Sequence, residues 1–145
     1  MKAIELDIIV PDSIEALKLY EEIFDLKIVE ATDFDRGQNE VIFDLYGLTI
    51  HMLDENPEFG LTAPIEGQML PMWINVTVPD IEETFSKAIE AGCAEVQPIT
   101  EMADFGVSNA VLMDPFGYQW MLHQVHKKVS FEERNAIWEK KLNEE

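Results

Sequence analysis

The chain has 145 residues, 47% of them hydrophobic and 27% charged, and 29 Asp and Glu against 10 Lys and Arg give a formal net charge of -19. This size and composition are typical of a globular protein with its own core. So large a negative charge disfavours binding to nucleic acid or anionic lipid, and no apolar run approaches the roughly 20 residues that span a bilayer.

Residues 1–54 are predicted to form a strand, a helix and three further strands. Apolar and acidic side chains alternate over residues 3–10, which indicates a half-buried strand with Glu5 and Asp7 on its polar face. Asp12 and Glu15 have the spacing of a capping box, and the amphipathic helix that follows is expected to end near Leu26. The segments KIVEA, VIFDLY and LTIHML then read as strands.

A second unit of the same kind is predicted over residues 71–126, after a linker or flap at 55–70 that is rich in Pro, Gly and acids. Its first strand, MWINVTV, is expected to bury Met72 and the apolar residues that alternate with it. The opposite face of that strand carries Trp73, Asn75 and Thr77. Asp80 caps the next helix, and three strands follow at 94–101, 107–113 and 117–124.

The two units repeat short sequences in the same order. Val10-Pro11-Asp12 recurs as Val78-Pro79-Asp80, and NEVIFDLYGLTIHML recurs in part as NAVLMDPFGYQWML. Two blocks repeated at nearly one spacing indicate a duplicated module.

Residues 127–145 predict a C-terminal helix that opens at Ser130. Its aromatic residues Phe131 and Trp138 need burial, either against the same chain or across a dimer interface. Cys93 is the only cysteine, so neither an internal disulfide nor a cysteine-based zinc site can form. Cys93 is interpreted as a structural residue, buried or in a helix-to-strand turn, rather than a catalytic thiolate.

The motif Asp114-Pro115-Phe116-Gly117-Tyr118-Gln119-Trp120, with the repeated Val-Pro-Asp, resembles the glyoxalase/bleomycin-resistance/dioxygenase (vicinal-oxygen-chelate) superfamily, and most closely its PhnB-like branch. The resemblance covers residues 3–124. It implies an α+β fold in which two βαβββ modules form a curved, cup-like mixed sheet, with helices on the outer face and the ligand in the cup. It also implies a homodimer.

Enzymes of this superfamily hold a divalent metal through one residue on the first strand and one on the fourth strand of each module. The resemblance places Glu5, His51, Trp73 and Met121 at these positions. An indole does not ligate a metal and a thioether suits soft ions, so two donors remain and no metal or other cofactor is expected. A nonstandard metal site of Glu5, His51 and His123 is the alternative.

These observations predict a metal-free protein that sequesters a cationic or amphipathic organic molecule in an aromatic cup with an acidic rim. A metal-dependent lyase, isomerase or dioxygenase and a non-catalytic assembly subunit remain open, so catalysis is undecided. The N-terminal sequence lacks the pattern of a signal peptide, which favours the cytoplasm. The expected ligand-binding residues are Glu5, Asp7, His51, Trp73, Asn75, Thr77, Gln119, Met121 and His123.

Overall fold

A computed structural model describes residues 3–144. The first module comprises β1 (Leu6–Val10), α1 (Ser13–Ile23), β2 (Lys27–Ala31), β3 (Glu40–Leu45) and β4 (Leu48–Asp54). The second comprises β5 (Ile74–Thr77), α2 (Ile81–Ala91), β6 (Ala94–Met102), β7 (Val107–Met113) and β8 (Gln119–Val125). Short 3-10 helices at Pro57–Phe59 and Ala103–Phe105 and the C-terminal helix α3 (Phe131–Asn143) complete the fold.

Each module contains one four-stranded mixed sheet, and the two sheets have the same topology. Their strand orders are β1-β4-β3-β2 and β5-β8-β7-β6. The first strand of each module pairs in parallel with the fourth, and the other neighbours are antiparallel. The predicted α+β fold with two βαβββ modules and a C-terminal helix is therefore confirmed.

The helices begin where the predicted caps lie. The Asp12 carboxylate accepts from the backbone N–H groups of Ile14 and Glu15, and the Asp80 carboxylate accepts from that of Glu83. These bonds satisfy amides that have no partner within the helix. The first strand of each module is shorter than predicted, because Ile4 and Met72 lie outside it and their side chains are exposed rather than buried.

One hydrophobic core joins the two modules. The ring of Tyr20 on α1 lies between Phe43 of the first sheet and Trp120 of the second, with ring centroids 6.2 Å and 5.3 Å away. Phe24, the residue that follows α1, is in contact with the same indole. Large aromatic contacts of this kind bind the modules together as a packed unit.

A buried carboxylate lies within this core. Asp114, in the turn before β8, is 3% exposed and accepts hydrogen bonds from the Tyr20 hydroxyl and the Trp120 indole N–H. It also accepts from the backbone N–H groups of Phe116 and Tyr118. Burial raises the pKa of Asp114 and these four donors oppose that rise. The turn of the second module is thus tied to the helix of the first.

The C-terminal helix makes few contacts with the rest of the chain. Lys141 pairs with Asp104 at 3.5 Å and lies over the Phe105 ring, whereas Phe131, Trp138 and Leu142 are more than half exposed. The burial expected for the aromatic residues is therefore not achieved by packing within residues 3–144. None of the helices in this described range is long and apolar enough to cross a membrane.

Candidate functional site on the open sheet faces

A histidine surrounded by carboxylates lies on the face of the first sheet that α1 does not cover. The Nδ1 atom of His51 is 3.1 Å from the Glu5 carboxylate and 3.6 Å from that of Asp7, while its Nε2 is 3.4 Å from Glu40. The His51 side chain is 16% exposed, and the three acids are each at least one-third exposed. With one imidazole among three carboxylates, the cluster is negative even when His51 is protonated.

The ionisation of these groups is coupled. Burial lowers the pKa of His51, but the Glu5 hydrogen bond and the charges of Asp7 and Glu40 outweigh it, and the net pKa is raised. The His51 hydrogen bond lowers the pKa of Glu5. Burial, reinforced by the nearby Glu5 carboxylate, raises the pKa of Asp7. Glu5 and His51 therefore form the ion pair of the cluster.

We expect His51 to titrate above its ordinary pKa of 6.5 in an NMR titration of its ring carbon protons. Since the pKa is raised in the folded chain, its contribution to stability is complete below about pH 6.5 and is lost as the pH rises through the folded value. The Glu5→Gln variant should titrate at lower pH than the native chain, because it removes the main contact that raises this pKa. An unchanged titration in Glu5→Gln would contradict the pairing.

The donor set of this cluster fits a divalent cation. Ligand atoms of Glu5, Asp7 and His51 lie within 4.8 Å of one another, and no other group of three His, Cys, Asp or Glu within residues 3–144 is placed so closely. The buried Nε2 of His51 has no aligned hydrogen bond and faces Glu40. A proton on Nε2 would leave the Nδ1 lone pair directed to the metal position, as in carboxylate–histidine–metal sites. The other positions would remain open.

The second sheet presents an aromatic and neutral surface on its uncovered face. Trp73 is 49% exposed and lines a small cavity of about 80 Å³ with Asp7, at the junction of β1 and β5. Met121 is partly buried on the same face as Trp73, whereas its neighbours Trp120 and Leu122 are buried in the core. The structure thus places an indole and a thioether on the uncovered face and carboxylates on the adjoining one.

The remaining residues of the expected site are dispersed. Asn75 and Thr77 line a separate cavity of about 300 Å³ beside the turn between β3 and β4. Gln119 is the exception, because it lines the same small cavity as Trp73 and Asp7; it is buried there and donates to the Leu70 carbonyl. His123 is hydrogen-bonded to Asn109 at 2.6 Å and lines a cavity beneath α3. The structure therefore brings Asp7, and not His123, to Glu5 and His51.

Glu40 belongs to the site, although the sequence analysis did not predict it. The alternation of β3 places Glu40 on the same face as His51 once the register of β3 and β4 is known.

Cys93 is buried, and burial with the nearby Asp114 charge raises its pKa to about 12. A thiol that remains protonated to this pH is a poor nucleophile. The structure therefore agrees with the interpretation of Cys93 as a structural residue.

Comparison with known proteins gives consistent matches. The family model of the "Glyoxalase/Bleomycin resistance protein/Dioxygenase superfamily" matches residues 3–122. An uncharacterized protein of Mycobacterium tuberculosis strain H37Rv is 26% identical over 133 residues, covering 89% of this chain and 78% of that protein.

Solved structures agree in fold. The fosfomycin resistance protein FosX of Listeria monocytogenes, complexed with Mn(II) and sulfate, has a TM-score of 0.68 at 15% identity over 95% of this chain and 99% of that one. FosX of Mesorhizobium loti has a TM-score of 0.65 at 14% identity, covering 93% and 97% of the two chains.

Proposed function

Because the chain belongs to the Glyoxalase/Bleomycin resistance protein/Dioxygenase superfamily, we propose that it is a metal-free member that binds and sequesters a cationic or amphipathic organic molecule. We also place it in the PhnB-like branch, on the motif Asp114–Trp120, and in the cytoplasm. The observation that carries the proposal is the uncompensated negative charge of the His51 cluster beside an exposed indole.

The charge of the cluster supports a cationic ligand. Glu5, Asp7 and Glu40 all lie within 3.6 Å of one His51 ring nitrogen or the other. Protonation of His51 neutralises one of the three carboxylates at most. A further positive charge bound at the cluster would therefore be electrostatically favourable. Partial burial of His51 strengthens that attraction relative to the open surface.

The adjoining surface supports an organic rather than a purely inorganic cation. Trp73 offers a half-exposed indole face that shares a cavity with Asp7. Quaternary ammonium groups bind favourably over aromatic rings, with indole the best of them. A ligand with a cationic head and an aromatic or alkyl body would use the carboxylates and Trp73 together.

Calorimetric titration with benzyltrimethylammonium tests this proposal. We expect saturable binding to the native chain, at least about tenfold weaker binding in Glu5→Gln/Asp7→Asn and a similar loss in Trp73→Ala. The double variant Asp33→Asn/Asp35→Asn removes the same two charges from an exposed turn and should bind normally. Equal weakening in both double variants would show general attraction to an acidic surface, and the proposed site would then be wrong.

A metal-dependent enzyme is the second candidate, favoured by the three converging donors of Glu5, Asp7 and His51. A divalent metal bound there would supply Lewis-acid polarisation of a substrate oxygen. Glu40 would hold the His51 tautomer, and Trp73 would bound the substrate. Elemental analysis of protein purified without a tag distinguishes the candidates. If the purified chain holds one metal ion and the His51→Ala variant holds none, the metal-free proposal is wrong and the metal-dependent enzyme is favoured.

We further propose that the protein is a homodimer. The exposed Phe131 and Leu142 of α3 and Ile28 and Val29 of β2 are apolar surfaces that a second copy would cover. Light scattering should give twice the mass of one chain, and a chain that ends at residue 129 should have a smaller assembly mass if α3 contributes. A monomeric mass for the full chain would contradict this proposal.

A further inference from the structure

A cavity separate from the His51 cluster lies between α3 and the face of the second sheet that α2 does not cover. Its volume is about 410 Å³, within the range of small-molecule sites. The walls are largely apolar. They are formed by Met102, Phe105, Val107, Val125, Val129 and Trp138.

The charged residues that line this cavity are all cationic. They are Lys127 and Arg134, and the lining also includes His123 but no Asp or Glu. This is notable in a chain with 29 acidic and only 10 basic residues. Five of those ten bases lie between positions 127 and 141 of the sequence, and two of the five line this cavity.

Two backbone hydrogen bonds fix the chain segment at one side of the cavity. The backbone N–H groups of His126 and Lys127 both donate to the Gly106 carbonyl, at 2.7 Å and 3.0 Å. This fixes the segment that leads from β8 to α3 and places Lys127 at the cavity. The arrangement is a tertiary contact, because Gly106 lies before β7 and Lys127 follows β8.

The Lys141 side chain connects α3 to the segment before β7. Lys141, near the end of α3, pairs with Asp104 at 3.5 Å and lies over the Phe105 ring. Arg134 lies over the Phe131 ring at 5.8 Å, which limits the positions of its guanidinium. Near its C-terminal end the helix is thus connected to the 3-10 helix at Ala103–Phe105, while its middle, with Trp138, borders the cavity.

We propose that this cavity binds an amphipathic organic anion, a carboxylate with an alkyl or aryl body. The carboxylate pairs with Arg134 and Lys127, since a guanidinium offers two parallel donors to the two oxygens. The body packs against Phe105, Val125 and Trp138. The preferred charge is opposite to that of the His51 cluster, so the two sites would favour different ligands.

Titration calorimetry of the full chain with sodium decanoate, below the concentration at which it forms micelles, tests the proposal. We expect saturable binding of one decanoate per chain, weakened at least about tenfold in Arg134→Gln/Lys127→Gln because both charge-assisted contacts are removed. Trp138→Ala should also weaken binding. Decyltrimethylammonium has the same alkyl body and the opposite charge, and it should bind this cavity at least about tenfold more weakly.

The control is Lys128→Gln/Lys140→Gln, which removes two positive charges from the same segment at positions that do not line the cavity. It should bind decanoate normally. The four residues changed in the test and control variants are all exposed, so both variants should fold. Melting curves recorded without ligand check this. Glu5→Gln/Asp7→Asn should retain decanoate binding, so this proposal and the proposed function can fail separately.

Three results would overturn the proposal. One is the absence of saturable decanoate binding to the native chain. Another is equal weakening by Lys128→Gln/Lys140→Gln, which would mean that the basic segment attracts anions without a defined site. The third is decyltrimethylammonium binding that Trp138→Ala weakens as strongly as it weakens decanoate, which would mean an apolar groove with no preference for charge.

Discussion

Replacing Asp114 by alanine is expected to lower the free energy of unfolding by about 3–5 kcal/mol, measured by urea denaturation. The substitution leaves the Tyr20 hydroxyl and the Trp120 indole N–H buried without an acceptor. It also removes the acceptor of two backbone amides in the turn before β8. Each buried polar group left without a partner costs about 1–3 kcal/mol.

Two further variants calibrate this result. Tyr20→Phe removes one donor and leaves the carboxylate with three, so it should cost about 1–2 kcal/mol, and it remains measurable if Asp114→Ala does not fold. Asp80→Ala removes an exposed helix cap and should cost about 1 kcal/mol. If Asp114→Ala cost no more than Asp80→Ala, Asp114 would not be the connection between the modules that we describe.

Replacing Gly106 by alanine is expected to cost about 3 kcal/mol. Gly106 has a φ of +69°, where a side chain costs about 1–2 kcal/mol, and an added Cβ would also overlap the Lys127 carbonyl oxygen. The segment at Lys127 must therefore move, although Gly106 itself accepts the hydrogen bonds that hold it. Urea denaturation measures the loss, and decanoate binding should weaken in the same variant.

The chain provides a matched control for this prediction. Gly60 follows the other 3-10 helix with a φ of +72°, and an added Cβ there would meet no atom within 4 Å. Gly60→Ala should cost only the backbone term of about 1–2 kcal/mol and leave decanoate binding unchanged. Equal losses of stability in Gly60→Ala and Gly106→Ala would show that the contact with Lys127 is not tight.

The sequence alone determined the local structure and the module. Alternation over β1 and β5, the caps at Asp12 and Asp80 and the repeated blocks depend on neighbours a few residues apart, which the printed sequence contains directly. The alternation along β8 has the same local origin, and it leaves Trp120 and Leu122 in the core and Met121 on the other face. Alternation erred at Ile4 and Met72, where the periodic pattern extends beyond the residues that pair with a partner strand.

The sequence repeat also suggests that corresponding residues of the two modules have equivalent surroundings, which the structure does not show for Asp44 and Asp114. Asp44 and Asp114 occupy corresponding positions in the two modules. Asp44 is partly exposed and accepts from the Gly47 backbone N–H, whereas Asp114 is buried and joins both modules. Duplicated sequence gives the two residues similar local positions but not the same environment, because the turn at Asp114 is buried against Tyr20 of the first module.

Only the tertiary structure decided which side chains meet. Periodicity assigns a residue to a face of its own strand, but strand order and register determine that Glu40 lies beside His51. Likewise, the sequence of residues 127–145 predicted a helix, while only the tertiary structure showed that Arg134 and Lys127 line one cavity with Val125 of β8. Local propensities act over a few residues, and contacts such as that of Tyr20 with Asp114, 94 residues apart, arise from packing of the whole chain.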